Sequence, residues 1–462
     1  MKAGLQYNRI VRKTTLENVY FQDVQNIVKG AGNMRLELRE AHVKDVQWGS
    51  KTCIENNVLY VDKTEALSVV SGDDRFTSLD LDLARPGESV RIIPVKDVIE
   101  PRYKVEGRGG CFPGFISGTE TVGNGATLVL KGAGVITVGP IVGIQEGLID
   151  MSGPGADYNP YGNTNNVVLV EEPVEGLEKH EYETALREAG LKLANYLAEK
   201  CREAKVDSTR VFEMPDSIEE RNEQCKDLPK FVYVYMGISQ GLLHDTFIYG
   251  MDLKYMLPTI LDPNEVMDGA VVSANCVSAC DKQNTFHHQN NPVIEELYAR
   301  HGKDLNFLGV IATTELMTLA GKVRSSDYVV KLSKMLGAEV AIVTEEGCGN
   351  PDTDLCMNCQ KLEKAGIKTV IIGNEVSGQD GSSQGLADVV PEMNAYVSCG
   401  NINEVVDLPA MDKIIGDVRA ISNLSGGDGK ALHEDGSITC EIQSIIGSTN
   451  ELGFSRIGCE WT

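Results

Sequence analysis

Leu305-Asn306-Phe307-Leu308-Gly309-Val310-Ile311 is an apolar run of strand length, and it opens a stretch in which strand and helix patterns alternate. Lys322 to Leu336 has helical spacing, and Ala338-Glu339-Val340-Ala341-Ile342-Val343 is again strand-like. Asp352 to Ala365 is helical, and Ile367-Lys368-Thr369-Val370-Ile371-Ile372 closes the series. Strands covered by helices on both faces read as short, nearly continuous apolar runs. This alternation predicts a doubly wound parallel α/β region. Just upstream, Lys230-Phe231-Val232-Tyr233-Val234-Tyr235-Met236 predicts a further strand, ending at Gly237.

Further back, Asp216 to Lys226 is so charged that it is expected to be a solvated linker. Ala185, Leu186, Ala189, Leu193, Tyr196 and Leu197 recur at three- and four-residue steps, the mark of an amphipathic helix over 180–204. From Met34 to about Val170 the pattern is β-rich. Val58 to Val61, Ser89 to Val95, Thr127 to Leu130 and Gly134 to Val138 are strand candidates, separated by glycine clusters at 107–110, 123–125 and 153–155. A mainly antiparallel arrangement is expected there. The fold class is therefore α/β overall, an N-terminal mainly β domain followed by the doubly wound region.

Residues 1–33 are set apart. Clean alternation begins only at Met34, with Met34-Arg35-Leu36-Glu37-Leu38, and Lys29-Gly30 just before it would be encoded like a ribosome-binding site. Met34 is the expected start, although Glu17-Asn18-Val19-Tyr20-Phe21-Gln22 also resembles a protease tag. On either reading the segment is a non-native or disordered extension. The expected organisation is 1–33 extension, 34–175 mainly β domain, 176–275 α/β segment and 276–462 α/β domain; the break at 275/276 anticipates the junction discussed next.

Composition narrows the function. The formal net charge of −24 over 462 residues opposes binding to nucleic acid or to an anionic membrane surface. No stretch reaches the roughly 18 apolar residues of a membrane span. Twelve cysteines without a secretory signal point to a reducing cytoplasm.

Chemistry-bearing side chains concentrate in Ser273-Ala274-Asn275-Cys276-Val277-Ser278-Ala279-Cys280-Asp281-Lys282, continuing to Thr285-Phe286-His287-His288. Several readings are open. Cys276 can be a packed thiol. Cys276 and Cys280, four apart, can be a redox pair on one helical face. His287 and His288 can be metal ligands, although neighbouring histidines on a strand point to opposite faces. Or the Cys276 thiol can attack the preceding Asn275 carbonyl, with His287 or His288 as base and a backbone N–H, Ser273 or Ser278 holding the oxyanion. Cys356-Met357-Asn358-Cys359 is a Cys-x-x-Cys, but inside an expected helix, where packed thiols, redox chemistry and metal binding all remain open. His244, in a loop after the 230–236 strand, can serve a site as a supporting group or simply cap a turn.

The run from Asn275 to Lys282, with Asn291-Pro292-Val293-Ile294 and Leu297 to Lys303 downstream, resembles the processing site of glycine/sarcosine/betaine reductase component B proproteins. Arg85-Pro86-Gly87-Glu88-Ser89-Val90-Arg91-Ile92, Pro94 to Arg102, Gln240 to Thr246, Gly349 to Leu355, Met411 to Gly416 and Thr449 to Phe454 fit as well, so the resemblance spans about 34–455. D-proline reductase proprotein looks like a more distant relative. The resemblance implies cleavage between Asn275 and Cys276. It implies an N-terminal β fragment and a C-terminal α fragment that begins with a covalent pyruvoyl group derived from Cys276. It further implies a small amine substrate and three sets of partners: the selenoprotein subunit of component B, the component A selenoprotein, and the acetyl-phosphate-forming component C. No resident metal is implied.

Overall fold

A computed structural model describes residues 34–454 apart from Ile144, Leu242, His244, Ala274, Asn275 and Cys276. The expectations for residues 1–33, His244, Asn275 and Cys276 thus lie outside the described residues.

The N-terminal part carries β1 (Met34–His42), β2 (Phe76–Ala84), β3 (Val90–Ile99), β4 (Arg102–Glu106), β5 (Gly125–Lys131), β6 (Ala133–Val138), β7 (Gly147–Asp150) and β8 (Asn165–Pro173). Next come α1 (Lys179–Lys200), β9 (Ser208–Met214), α2 (Ile218–Gln224), β10 (Lys230–Ser239), β11 (Thr259–Leu261) and β12 (Val271–Val272). Beyond it lie α3 (Thr285–Gln289), α4 (Pro292–Arg300), β13 (Asn306–Leu316), α5 (Leu319–Leu336), β14 (Val340–Thr344), α6 (Asn350–Lys364), β15 (Lys368–Glu375), β16 (Tyr396–Asn401) and β17 (Lys413–Gly416).

The strand-rich N-terminal part is there as expected and most of its strand pairings are antiparallel, although both sheets also hold parallel pairs. One has the order β9-β1-β5-β4, the other β7-β3-β6-β8-β2. β1/β5 and β6/β8 run parallel, and β17 returns from the C-terminal region to pair in parallel with β3. Such pairings join strands far apart in sequence, which local alternation does not encode. β3 is buried along its whole length, because both of its faces are covered.

The second half is built on the sheet β11-β13-β10-β14-β15-β16, with β13, β10, β14, β15 and β16 parallel and β11 antiparallel at the edge. Period-two alternation in β10 sorts its side chains. Val232, Val234 and Met236 pack with Val329, Leu336, Leu355 and Leu362 of α5 and α6 on one face. Tyr233 and Tyr235 face the other way, toward Ile294 and Leu297 of α4 and Leu36 and Leu38 of β1. The central sheet is therefore covered by helices on both faces, with the N-terminal sheet joining the second layer. Gly337 ends α5 at φ +77°, a left-handed cap for which a residue without Cβ is suited.

The stretch 216–226 is mostly exposed, as expected of a solvated segment, but it is not a plain linker. It holds α2, and Arg221 within it is buried, donating to Pro215 O at 2.6 Å, Leu308 O at 2.7 Å and Asp262 Oδ2 at 2.9 Å. A guanidinium that finds three acceptors can be buried, and composition does not reveal the acceptors in advance.

Candidate active site

In open α/β sheets a crevice forms at the carboxyl ends of the strands where the strand order reverses. Here β13 follows β10 on one side and β14 lies on the other, so the order reverses at β10. Glu346, just past β14, ties this crevice together. Its carboxylate accepts from Ile238 N at 3.0 Å, Thr246 Oγ1 at 2.8 Å and Gln283 N at 3.3 Å. Gln283 Nε2 donates to Glu345 O at 2.8 Å, and Val277 packs on Ile238. Gly347 has φ +101°, and a Cβ there would lie 3.0 Å from Val277 Cγ2. The chain that follows Cys276 is thus seated at the switch point.

The chain that precedes Asn275 is held as firmly. Ser273 N donates to Thr285 Oγ1 at 3.1 Å, and Ser273 O accepts from Arg187 Nε at 3.2 Å. Thr285 in turn donates its hydroxyl to Asp97 Oδ2 at 2.6 Å and its N–H to Asp97 Oδ1 at 3.0 Å. Asp97, Thr285, Arg187 and Ser273 are all buried. Lys282 is fully buried as well. Burial pulls its ammonium down to about 8, against the opposing pull of the Asp97 and Glu146 carboxylates. Asp97, Arg187 and Lys282 are functional candidates that the sequence reading did not single out. Asp97 and Arg187 could be signalled only by a charge set within an apolar strand or helix, and Lys282 only by its place at the end of the 273–282 run.

His287 and His288 are brought into this interior on α3, both fully buried. His287 Nδ1 accepts from Asn284 N at 3.1 Å, which leaves the proton on Nε2, 2.9 Å from Tyr161 OH. His288 Nδ1 is bonded to the Tyr235 hydroxyl. Burial pulls both imidazoles down to about 3, so they are neutral and weakly basic at physiological pH. Among the described residues no group of three or more His, Cys, Asp or Glu side chains is arranged to hold a metal ion.

Carboxyls line the remaining wall. Burial raises Glu346 to about 7 and Asp281 to about 6, and pushes Glu315, Glu345 and Glu451 well up. Asp281 Oδ1 accepts from the Cys280 thiol at 3.0 Å and from Thr449 Oγ1 at 3.1 Å. Burial, reinforced by that carboxylate, keeps Cys280 as a thiol, which is the wrong state for a redox nucleophile. Cys356 and Cys359 sit inside α6 and bond to different groups, Asp388 O at 3.2 Å and Thr369 Oγ1 at 3.3 Å. Burial raises both, Cys356 to about 12, so packing is the reading their geometry supports.

Residues 34–460 match the sequence family described as glycine/sarcosine/betaine reductase component B subunits. The chain belongs to that family. It is 55% identical to the glycine reductase complex component B subunits alpha and beta of Peptoclostridium acidaminophilum, over 92% of this chain and all of that protein. It is 53% identical to the sarcosine reductase complex component B subunit alpha of the same organism, over 92% of this chain and 99% of that one. The betaine reductase complex component B subunit alpha of that organism is 40% identical, over 91% of this chain and 98% of its own length. No solved structure matches significantly. As a component B subunit the chain is part of a reductase complex. No helix among the described residues is long and apolar enough to cross a membrane.

Proposed function

We propose that this chain is the substrate-binding proprotein of component B and that it cleaves itself between Asn275 and Cys276, leaving a pyruvoyl group at residue 276. The Cys276 thiol attacks the Asn275 carbonyl carbon, the C–N bond breaks, and a thioester forms with a free amine on residue 276. Removal of the Cα proton of residue 276 expels the thioester sulfur as a thiocarboxylate on Asn275. The dehydroalanine that remains takes up water and releases ammonia. The resulting carbonyl is an electrophile for the amine of a glycine-type substrate. The C–N bond of that substrate is then cut reductively with electrons from outside this chain. The selenoprotein subunit of component B and the component A selenoprotein supply the nucleophile, and component C releases acetyl phosphate.

The observation that carries this reading is the double anchorage of Ser273. Thr285 and Arg187 hold its N–H and C=O, two residues before Asn275, while Glu346 and Ile238 hold the far side through Gln283 and Val277. Flanks held on both sides limit the freedom of the chain between them, which is what an attack of thiol on neighbouring carbonyl requires. The test is intact mass. Native protein is expected as two fragments, split after Asn275, the smaller without a free amino terminus. One uncut chain from active material sinks the proposal; one chain with a reversible two-proton mass change points to a thiol-redox protein using Cys276 and Cys280.

Lys282 is a fitter base for the Cα proton than His287 or His288, since an amine near 8 gives a stronger base than imidazoles near 3. It accepts a proton only when neutral. Cleavage of newly made proprotein is therefore expected to rise with pH, about tenfold per unit below 8, and to level off above it. Lys282→Met is expected to flatten that rise. A rate already level at neutral pH, and unchanged in Lys282→Met, assigns the base to an imidazole instead.

A further inference from the structure

We propose that Arg187 captures the substrate carboxylate, making this subunit selective for α-amino carboxylates over simple amines. The proposal rests on the function proposed above and names the group that recognises the substrate.

Arg187 lies on α1 and is 5% exposed. Its guanidinium stacks over the Phe247 ring, 4.6 Å from the ring centre. One edge is used: Nε donates to Ser273 O at 3.2 Å. Nη2 is buried and has no hydrogen-bond partner among the described residues. A buried donor on a charged group is costly to leave unmade, and native interiors rarely do so without a ligand or water to complete it.

The same side chain lines a cleft of about 600 Å³, with Phe115, Phe247, Asp252, Lys254 and Tyr255 around it. Lys254 is already neutralised by Asp245 at 3.2 Å and Asp252 at 3.0 Å. Glu183, Asp97 and Asp252 act on the Arg187 guanidinium through space and favour its charged form against burial. The cleft thus presents a guanidinium whose Nε is taken by Ser273 O and whose terminal Nη2 still lacks a partner, a charged donor that a carboxylate can complete. The used edge holds the backbone at Ser273, two residues before Asn275. In glycine, sarcosine and betaine the nitrogen is two bonds from the carboxyl carbon. A carboxylate on Arg187 therefore keeps the nitrogen in the same corner of the cleft, whatever its methylation.

The experiment compares wild type with Arg187→Gln, which removes the charge and keeps an N–H for Ser273. Fragment masses first establish cleavage in each. Glycine and methylamine are then trapped on the protein with borohydride, and acetate binding is followed by calorimetry. Acetate has the carboxylate and no nitrogen, so its binding does not depend on a carbonyl at residue 276. Wild type is expected to bind acetate, which competes with glycine but not with methylamine. Arg187→Gln is expected to weaken acetate and glycine by about tenfold or more and to leave methylamine trapping within about twofold. Unchanged glycine and acetate, equal losses for glycine and methylamine, or a wild type that ignores acetate each overturn the assignment. If wild type traps no amine at all, the pyruvoyl reading fails, and the acetate arm alone decides Arg187. An Arg187→Gln chain that is not cleaved is judged on acetate in the same way.

Discussion

Cys276→Ala is expected to abolish cleavage and leave a single inactive chain with its fold retained. Alanine has no nucleophile to move the Asn275 acyl group, so neither the thioester nor the elimination can occur. Cys276→Ser keeps a nucleophile, and an ester leads to the same dehydroalanine. A hydroxyl is far less acidic than a thiol, so this variant should cleave at least about tenfold more slowly, and its cleaved fraction should carry the same pyruvoyl group. Cys280→Ala should still cleave. Its thiol is held by Asp281 and is kept protonated by burial, so it offers no nucleophile. Cleaved wild type should lose activity with hydroxylamine or borohydride, which attack ketones. Intact and fragment masses check the three variants, and an activity assay of the treated wild type checks the fourth expectation. Cleavage of Cys276→Ala, or a wild-type α fragment that begins with an ordinary cysteine, overturns the mechanism.

The central sheet was legible because its strands announce themselves locally. In β10 the run from Lys230 to Met236 is apolar on both faces, and β13, β14 and β15 are short apolar runs separated by helices of crossover length. The N-terminal sheets were legible as strands but not as pairings. Glu37 meets Val211 on one side and Ala126 on the other, and Ile414 returns to Arg91; nothing local specifies partners so distant. The buried arginine in the helix at 218–224 was not legible because the burial of Arg221 depends on carbonyls of Pro215 and Leu308, one of them from another strand.

The site divides the same way. The residue types around position 276 and the family resemblance pointed to the junction, and α3 does bring His287 and His288 into the buried interior. What could not be read was protonation. Two adjacent histidines look like an acid–base pair in sequence, yet burial removes their basicity and leaves Lys282 nearer the useful range. Nor could the partners of Ser273 be read. Thr285 is near in sequence, but Arg187 reaches Ser273 from α1, and Asp97 holds Thr285 from β3.

Arg102→Met is expected to destabilise the protein by about 3–5 kcal/mol, because it strands a buried carboxylate. Arg102 donates to Glu100 Oε2 through Nε at 2.9 Å and Nη2 at 2.6 Å, to Gln289 O at 2.9 Å, and to Met267 O. Both members of the pair are buried, and Gln289 closes the link by exchanging bonds with the Glu100 backbone at 3.0 and 3.1 Å. The arginine therefore ties the end of β3 to α3, the helix that carries Thr285 and both histidines. Burial alone would raise the Glu100 pKa, but the charges of Lys131 and Arg102 and the Arg102 hydrogen bonds outweigh it and hold it at about 2. A depressed carboxylate stabilises the fold fully above its unfolded value of 4.5, and that contribution is lost as pH falls from there to about 2. In Arg102→Met, Lys131, 3.4 Å from Glu100 Oε1, still offsets burial, but the Glu100 carboxyl is held down less, and mild acid should cost the variant less stability than it costs wild type. Glu100→Gln added to Arg102→Met removes the stranded charge and should recover more than about 1 kcal/mol at neutral pH. Denaturant melts of wild type and the two variants at pH 5 and pH 7 measure this. A single variant that loses less than about 1 kcal/mol, or a double no more stable than the single, shows that the Glu100–Arg102 pair does not hold α3 in place.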